Sequence, residues 1–478
     1  MSESPDVLWN YIVVVDAGAE ISQVFIYRYN DNVEQGEVVK LETQRDWSTQ
    51  IAPGLATFLD GKNESNLDLE KDHLEAIDAF TKSIVPADQM RRTPLFLHST
   101  ATLRAEQKKP RHKLMQQICS YFKDKSELIV EDCQNQIYEI VPEMEASLGW
   151  LTVNSLKGTL DKSETFLELA PGNVQAVFEP KEDLKSKTYR IRLNGGNSDA
   201  KSYDVLPKVY EGLGVLTLRQ KYVDDLKGPE DPCMPIGLEL NGHNGTGNYE
   251  ECSKAVHQYV KKIDDLDLDQ DEKYNHKVVA TNMFTKYITA VDGNIDKLKA
   301  FCESNWSDIE RDRLTDAKES LTVADFQELC FGATVAFDVL QDGFSLKIND
   351  IELVKEINDV PYSWTYGRAL VYACDEKHPG GGIQPNSASN IWYLGSNPSM
   401  ARPQLGDVAS RLDSGSHRLY GGLVFLGALL LVVYLLLGKT RRHQISQGIW
   451  KRFGGREKYV GVRHDDFELD ELDDEYEV

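Results

Sequence analysis

Basic residues are too few in this sequence to offset the acidic ones, and several familiar catalytic motifs are missing. The 53 Lys and Arg residues stand against 77 Asp and Glu residues, which gives a formal net charge of −24. A field of this sign over the whole protein excludes nucleic acid as a partner, although it does not exclude local nucleotide binding. The sequence contains no GxxxxGK(S/T), no HExxH and no paired CxxC pattern. It therefore gives no support to P-loop or zinc chemistry.

Long apolar runs are also scarce. Residues 1–10 lack the basic start and apolar stretch of a signal peptide, and the short run at residues 11–15 predicts a core strand. Residues 420–438 are uncharged and long enough to span a bilayer once. The basic residues that follow predict a cytosolic C-terminus and a lumenal large domain. A buried core helix is the alternative, which the absence of a polar face disfavours.

The last fourteen residues, 465–478, are mostly Asp and Glu. They cannot bury an apolar core, so we expect this acidic tail to be disordered in solution. One interpretation is a docking or sorting peptide for a cytosolic protein partner. The other is a solvated acidic tail, and the sequence leaves both open.

A strand, an acidic turn and a second strand occur twice. The β-branched run before Asp16 predicts a buried strand that Ala17-Gly18 end, and residues 165–178 repeat the pattern around Glu168. Such a turn places a carboxylate at the mouth of a cleft, where backbone N–H groups can hold phosphate. An ordinary β-hairpin explains either copy alone. Two copies indicate a duplicated domain with the ligand between them.

Five stretches then resemble, in order, the motifs of the apyrases, or nucleoside-triphosphate diphosphohydrolases. The family patterns are DAGS(S/T)G(S/T)R, ATAGxR, EGxYGW, D(L/M)GGASxQ and WxxGR. This chain has DAGAEISQ (16–23), STATLR (99–104), EASLGW (145–150), ELAPGNVQ (168–175) and WTYGR (364–368). Together with the single membrane segment, the chain is most similar to the Golgi-type apyrases. Nucleoside di- and triphosphates are the ligands that this resemblance implies.

The resemblance implies an α/β fold of two actin-like (ribonuclease-H-like) lobes with a nucleotide cleft, plus one C-terminal transmembrane helix. The first lobe is predicted at 8–140, completed by about 375–412, and the second at 141–374. The membrane helix at 420–438 precedes a basic juxtamembrane segment and the acidic tail at 439–478. The predicted location is the Golgi or another endomembrane compartment.

The resemblance also implies roles for individual residues. Asp16 and Glu168 would hold Ca²⁺ or Mg²⁺ through water, which suits hard ions that prefer carboxylate oxygens. Glu145 would be the general base that activates the attacking water. The residues expected to contact phosphate or water are Thr100, Arg104, Gln175 and Ser22.

Both phosphate loops depart from the family patterns. The altered positions are Ala19, Glu20, Ile21, Gln23, Ala170 and Pro171. Ile21 replaces a glycine that could adopt positive φ, and Pro171 removes a backbone N–H. Glu20 brings a carboxylate to the phosphate position, which costs roughly 3 kcal/mol at about 5 Å and an effective dielectric near 20. Two hypotheses follow: an apyrase with impaired activity, or a catalytically silent homologue that acts as a regulatory or interaction protein.

The sequence has seven cysteines, an odd number. Cys233 and Cys252 lie in family-like stretches, and Cys302 and Cys330 flank another one. They predict the disulfides Cys233–Cys252 and Cys302–Cys330, which require an oxidising lumen. Fully reduced cysteines in the cytosol are the alternative. Sequons at Asn63, Asn244 and Asn305 favour a lumenal glycoprotein.

Overall fold

The computed structural model of this protein describes most of the chain before residue 387. The described residues are 9–30, 38–59, 67–104, 106–180, 188–193, 201–261, 277–312, 321–377 and 382–386. No helix within these ranges is long and apolar enough to cross a membrane. The apolar stretch 420–438, the segment 439–478 and the sequon at Asn63 lie outside the described residues, so they stay predictions.

The first sheet has five strands in the order β3-β2-β1-β4-β5. They are β1 (Trp9–Ala17), β2 (Ser22–Asn30), β3 (Ser48–Ile51), β4 (Leu95–Ser99) and β5 (Ile137–Glu139). The first three are antiparallel neighbours, and β4 and β5 run parallel to β1. Ile12 and Val14 belong to one apolar core, whereas Val13 and Val15 belong to another. Because both faces of β1 are covered, its sequence is continuously apolar.

A second sheet of seven strands has the order β14-β13-β6-β7-β9-β8-β17. The remaining strands of the chain are β6 (Thr165–Leu169), β7 (Asn173–Phe178), β8 (Tyr189–Leu193), β9 (Lys201–Glu211), β10 (Glu230–Asp231), β11 (Glu239–Leu240), β12 (His243–Gly245), β13 (Val278–Asn282), β14 (Ile351–Val354), β15 (Glu356–Ile357), β16 (Val360–Pro361) and β17 (Gly382–Pro385). Strands β10 to β12 form a small third sheet, and β15 pairs with β16. The fold is therefore mixed α/β.

The two main sheets share one strand order. In the second sheet β6, β7 and β9 are antiparallel neighbours, while β13 and β14 run parallel to β6. The sequence β9-β7-β6-β13-β14 thus repeats β3-β2-β1-β4-β5 in order and in direction. The duplication that the sequence indicated is confirmed at the level of strand topology.

Helices lie beside these sheets, and two of them pack against each other and contribute to a shared apolar core. The helices are α1 (Glu75–Ile84), α2 (Ala101–Arg104), α3 (Lys108–Asp124), α4 (Cys133–Gln136), α5 (Pro142–Lys157), α6 (Val215–Asp225), α7 (Tyr249–Val260), α8 (Met283–Ala290), α9 (Ile295–Cys302), α10 (Trp306–Asp312), α11 (Val323–Asp338) and α12 (Trp364–Lys377). Helix α5 starts at Pro142 and ends at Lys157, and it is followed by Gly158, whose φ of 69° suits a glycine cap. The core that α5 and α12 share includes Ile12 of the first sheet and Phe166 of the second.

The lobe boundaries stay a prediction, but one described segment differs from it. Residues 375–412 were expected to complete the first lobe. Instead, β17 pairs antiparallel with β8 at the edge of the second sheet. The backbone N–H and C=O groups along the edge of β8 pair with β17 and so decide this placement. The Gly- and Pro-rich sequence around β17 gives no local signal for this pairing.

Three disulfides are present, of which the sequence predicted two. Cys233–Cys252 and Cys302–Cys330 are confirmed. A third bond, Cys119–Cys133, joins α3 to α4 and was not predicted. The seventh cysteine, Cys374, is free and buried in α12. Three bonds within the described residues strengthen the prediction of an oxidising compartment.

Candidate active site

The turn between β1 and β2 is closed by its own backbone and held by a second segment. Gly18 N–H donates to Ile21 O at 3.0 Å. Leu55 N–H donates to Gly18 O, and Ala56 N–H donates to Ala19 O, both at 3.1 Å. These bonds use the carbonyl groups of the turn and fix its path.

The turn between β6 and β7 is built in the same way. Ala170 N–H donates to Asn173 O at 2.9 Å. Val215 N–H donates to Ala170 O at 3.3 Å, and Leu216 N–H donates to Pro171 O at 3.0 Å. The repeated bonding pattern shows that the duplication extends from strand order to individual backbone groups.

The segment that bonds each turn, residues 54–56 for the first turn and 214–216 for the second, begins at a glycine with no room for a side chain. A Cβ on Gly54 would lie 2.4 Å from Glu20 C, and one on Gly214 would lie 2.3 Å from Asn173 N. We expect Gly54→Ala to lower the free energy of unfolding by about 1–3 kcal/mol, because backbone must move away from the methyl group. Urea unfolding followed by tryptophan fluorescence measures this change.

Gly228→Ala is the matched control, since its Cβ would meet no atom within 4 Å and its φ lies outside the left-handed region. Equal unfolding midpoints for the Gly54→Ala and Gly228→Ala variants would contradict the close packing of the first turn.

Both turns face a single cleft of about 1510 Å³. Four of the residues that the sequence assigned to the site line this cleft: Asp16, Thr100, Glu145 and Glu168. They come from the ends of β1, β4 and β6 and from the first turn of α5. Parallel strands β1 and β4 end at the same edge, which is why Asp16 and Thr100 lie together.

Asp16 is held by two neutral donors. Thr100 Oγ1 donates to its Oδ1 at 3.3 Å, and Trp364 Nε1 donates to its Oδ2 at 3.0 Å. Trp364 begins α12, so the carboxylate is tied both to the next strand and to the helix shared by the two sheets. Trp364 was recognised as part of a motif but not as a site residue.

Glu168 is buried and also held by neutral donors. Asn282 Nδ2 donates to Oε1 at 2.9 Å, and Tyr362 O–H donates to Oε2 at 3.1 Å. Burial raises the pKa of Glu168 to about 7, and the nearby Asp16 carboxylate also raises it, against the lowering by the two hydrogen bonds. Asn282 reaches this position with a φ of 57° at the end of β13. Neither Asn282 nor Tyr362 was predicted.

Glu145 is held by Gln175, which occupies the position in the second strand–acid–turn–strand unit that Gln23 occupies in the first. Gln175 Nε2 donates to Glu145 Oε1 at 3.2 Å and to Asn173 Oδ1 at the same distance. Glu145 is only 5% exposed, yet it lines the cleft. The buried Gln175 Oε1 accepts no hydrogen bond within the described part of the chain. Glu145 is therefore positioned by Gln175, and its carboxylate oxygens can also accept a hydrogen bond from a water molecule in the cleft.

Comparison with known proteins assigns this chain to a family. The model of the GDA1/CD39 (nucleoside phosphatase) family matches residues 6–273 and 270–379. The chain belongs to this family.

Individual relatives agree with that membership. The chain is 24% identical over 446 residues to a Golgi apyrase of Saccharomyces cerevisiae, across 76% of this chain and 70% of the yeast protein. It is also 24% identical over 381 residues to the ectonucleoside triphosphate diphosphohydrolase 5 of Gallus gallus, across 75% of this chain and 86% of the chicken protein. A PPX-GPPA enzyme structure from Aquifex aeolicus matches 76% of this chain and 99% of its own at 14% identity and a TM-score of 0.41.

Two of the residues expected to contact phosphate or water, Ser22 and Gln175, are not among the described residues that line the cleft. Ser22 is fully buried behind the first turn, where it bonds His73 Nε2 at 3.0 Å. Gln175 lies behind Glu145 rather than on the cleft surface. Arg104 ends α2, but its side chain lies outside the described ones. Successive residues of a strand point to opposite faces, so Ser22 turns inward where Gln23 lines the cleft.

Ile21 does not adopt the positive φ that a glycine would allow at this position. Six non-glycine residues within the described ranges have positive φ, and Ile21 is not among them. The closing bond from Gly18 N–H to Ile21 O forms without a left-handed residue at this position, so the turn does not need the glycine of the family pattern here. The altered loop differs from the family pattern in its side chains rather than in a distorted backbone.

The described lining of the cleft is rich in acidic groups. Asp16, Glu20, Glu145 and Glu168 face it, and no arginine is among its described lining residues. Two of its lysines are already paired, Lys286 with Asp325 and Lys297 with Asp292. A polyphosphate could enter only if cations compensate these negative charges.

The donor set fits a hard divalent cation. Asp16 and Glu168 offer carboxylate oxygens, and a carboxylate has about four lone-pair sites in total. Their charges lie close enough for Asp16 to raise the pKa of Glu168. Mg²⁺ and Ca²⁺ take carboxylate oxygens and water, so these two residues could hold either ion through water.

Proposed function

We propose that this protein hydrolyses nucleoside tri- and diphosphates to nucleotide and phosphate, with reduced turnover. The observation that carries this proposal is the arrangement across one cleft of two acidic turns, with Glu145 oriented between them by Gln175 at 3.2 Å. Family membership supports a nucleoside phosphatase. The substrates printed in the names of its relatives suggest the finer assignment.

Glu145 is the proposed general base. It accepts a proton from a water molecule whose oxygen attacks the terminal phosphorus in line. The bond from this phosphorus to the bridging oxygen breaks, and the nucleotide leaves with that oxygen. Gln175 fixes the carboxylate through the hydrogen bond from its Nε2. A divalent ion at Asp16 and Glu168 supplies charge neutralisation on the phosphates when it is bound.

The altered turns explain why we propose reduced turnover. Glu20 presents a carboxylate to the cleft, Gln23 replaces a cation of the family pattern, and Pro171 has no N–H to donate. Glu20 is exposed, so water screens its charge more than a buried site would. The penalty is therefore smaller than the sequence alone suggested.

Glu20→Gln should tighten the binding of nucleoside triphosphate in Mg²⁺ about fivefold to tenfold. At about 5 Å, two unit charges repel by roughly 1 kcal/mol in water and roughly 3 kcal/mol at a dielectric near 20, and exposure favours the lower value. Isothermal titration calorimetry measures the dissociation constant. Glu239→Gln, exposed on β11 outside the cleft, is the control, and equal affinities for both variants would contradict repulsion by Glu20.

Phosphate release by the purified chain tests the proposed function. It is measured with tri- and diphosphates of adenosine, guanosine and uridine, with Ca²⁺ or Mg²⁺ and with a chelator. Release that requires the metal supports hydrolysis. Background release from a folded protein removes the enzyme and favours the second candidate, a catalytically silent interaction protein, for which the carboxylate of Glu20 in the first turn is the specific observation.

The remaining parts of the proposal concern architecture and location. We infer two actin-like (ribonuclease-H-like) lobes, from the repeated five-strand order, and a single membrane anchor at 420–438. The disulfides and the Golgi apyrases among the relatives support a large glycosylated domain in the Golgi lumen. The acidic tail at 465–478 would then face the cytosol, where a protein partner could bind it.

A further inference from the structure

A histidine and two aspartates meet on the second sheet's helices, outside the residues that line the cleft. His257 lies on α7, Asp338 ends α11, and Asp342 lies in the π-helical turn that follows, Val339–Gly343. One ligand atom from each residue lies within 4.8 Å of the others. Helices α7 and α11 pack side by side through buried residues such as Val256 and Val335, which fixes the backbones that carry the cluster.

The distances within this cluster are compatible with a shared metal ion as well as with weak hydrogen bonds. His257 Nδ1 lies 3.2 Å from Asp338 Oδ1 and 3.3 Å from Asp342 Oδ2. The contact with Asp338 has hydrogen-bond geometry, but both distances are longer than the roughly 2.7–2.9 Å of a strong charge-assisted N–H···O bond. Zinc bonds of about 2.0–2.2 Å in a tetrahedron place neighbouring ligand atoms roughly 3.3 Å apart.

Asp338 supplies a second, independent observation. Its side chain is about nine-tenths buried, and its Oδ2 accepts no hydrogen bond from the described residues. A buried carboxylate oxygen without a donor is costly unless a cation lies beside it. The carboxyl of Asp342 lies within hydrogen-bonding reach of Asp338, so the pair brings two negative charges to one place when both groups are ionised.

We propose that His257, Asp338 and Asp342 bind a zinc ion that ties α7 to the turn after α11. Imidazole nitrogen favours zinc over Mg²⁺ or Ca²⁺, which distinguishes this site from the all-oxygen pair in the cleft. Water completes the coordination, because His257 and Asp342 are partly exposed. The three ligand atoms lie within 4.8 Å of one another, and rotation of the exposed Asp342 side chain brings its carboxylate oxygen closer to the other two ligand atoms. No sequence motif signals this site, since its ligands lie on separate helices.

Zinc titration of the purified full chain tests this proposal. The chain is stripped with a chelator, returned to excess Mg²⁺ to saturate the cleft, and titrated with ZnCl₂ by calorimetry. We expect one zinc equivalent that binds at least tenfold more weakly in His257→Gln and in Asp342→Asn. Both residues are partly exposed, so these variants should fold, whereas a change at Asp338 tests burial as well as binding.

His112→Gln is the matched control, because His112 is exposed on α3 and bonds only Gln116 among its described partners. This variant should keep the zinc equivalent. Zinc should also raise the thermal midpoint of the unaltered chain and of His112→Gln, but not that of His257→Gln. Equal zinc affinity and stoichiometry in all variants, or no zinc equivalent in the unaltered chain, would overturn the proposal. Either result leaves the hydrolysis proposal untouched, since phosphate release is measured separately.

Discussion

Phosphate release should fall about 10²- to 10⁴-fold, towards the background rate, when Glu145 is changed to Gln. The amide cannot accept a proton from water at neutral pH, so the attacking water is no longer activated. The substitution keeps the shape of the side chain and an oxygen that can accept the hydrogen bond from Gln175 Nε2. Nucleotide binding and folding should therefore change little, and the loss should appear in kcat rather than in KM.

Glu143→Gln is the control for this experiment. Glu143 lies in the same first turn of α5 and is not among the residues that line the cleft. It should retain full release, measured with the same nucleotides and the same metal. If the Glu145→Gln and Glu143→Gln proteins release phosphate at equal rates above background, Glu145 is not the base.

The second large effect concerns Glu168 and the pH dependence of stability without metal. The pKa of Glu168 is about 7 in the folded protein and near 4.5 in the unfolded chain. Between these values the folded state holds a proton that the unfolded state has released. The contribution of Glu168 to the free energy of unfolding should therefore be largest below pH 4.5 and should fall as the pH rises through 7. The full loss is about 3 kcal/mol.

Glu168→Gln removes this dependence. In chelator, the variant should be more stable than the unaltered chain at pH 8 and equally stable near pH 4.5, as measured by urea unfolding. Added Mg²⁺ or Ca²⁺ should stabilise the unaltered chain at pH 8, because the ion favours the charged carboxylate, and should stabilise the variant less. A stability difference that stays constant from pH 4.5 to pH 8 would show that Glu168 does not titrate with the raised pKa.

Local sequence patterns predicted the framework of this site well. The two strand–acid–turn–strand units became β1–β2 and β6–β7, with Asp16 and Glu168 in register with Gln23 and Gln175. Such units are encoded by neighbouring residues, namely a β-branched run, an acidic end and small turn residues. They can therefore be recognised without knowledge of the rest of the chain.

The groups that hold these carboxylates could not be predicted in this way. Trp364, Tyr362 and Asn282 reach Asp16 and Glu168 from segments more than 100 residues away. Their contacts depend on how α12 and β13 pack, not on any pattern near the acids. The raised pKa of Glu168 has the same origin, since burial and the approach of Asp16 both arise from the meeting of the two sheets.

The sequence alone determined the family, the repeated acidic turns, two disulfide pairs and the identity of Glu145 as the candidate base. The acidic turns rest on residue types and spacings, whereas the disulfide pairs and the role of Glu145 came from the resemblance of the motifs to the family; none of these needs a three-dimensional context. Tertiary structure decided which side chains face the cleft: Ser22 turns inward, Gln175 supports Glu145, and β17 joins the second sheet. It alone brought His257 to Asp338 and Asp342. Packing of distant helices and strands sets those distances, and periodicity within one segment cannot encode them.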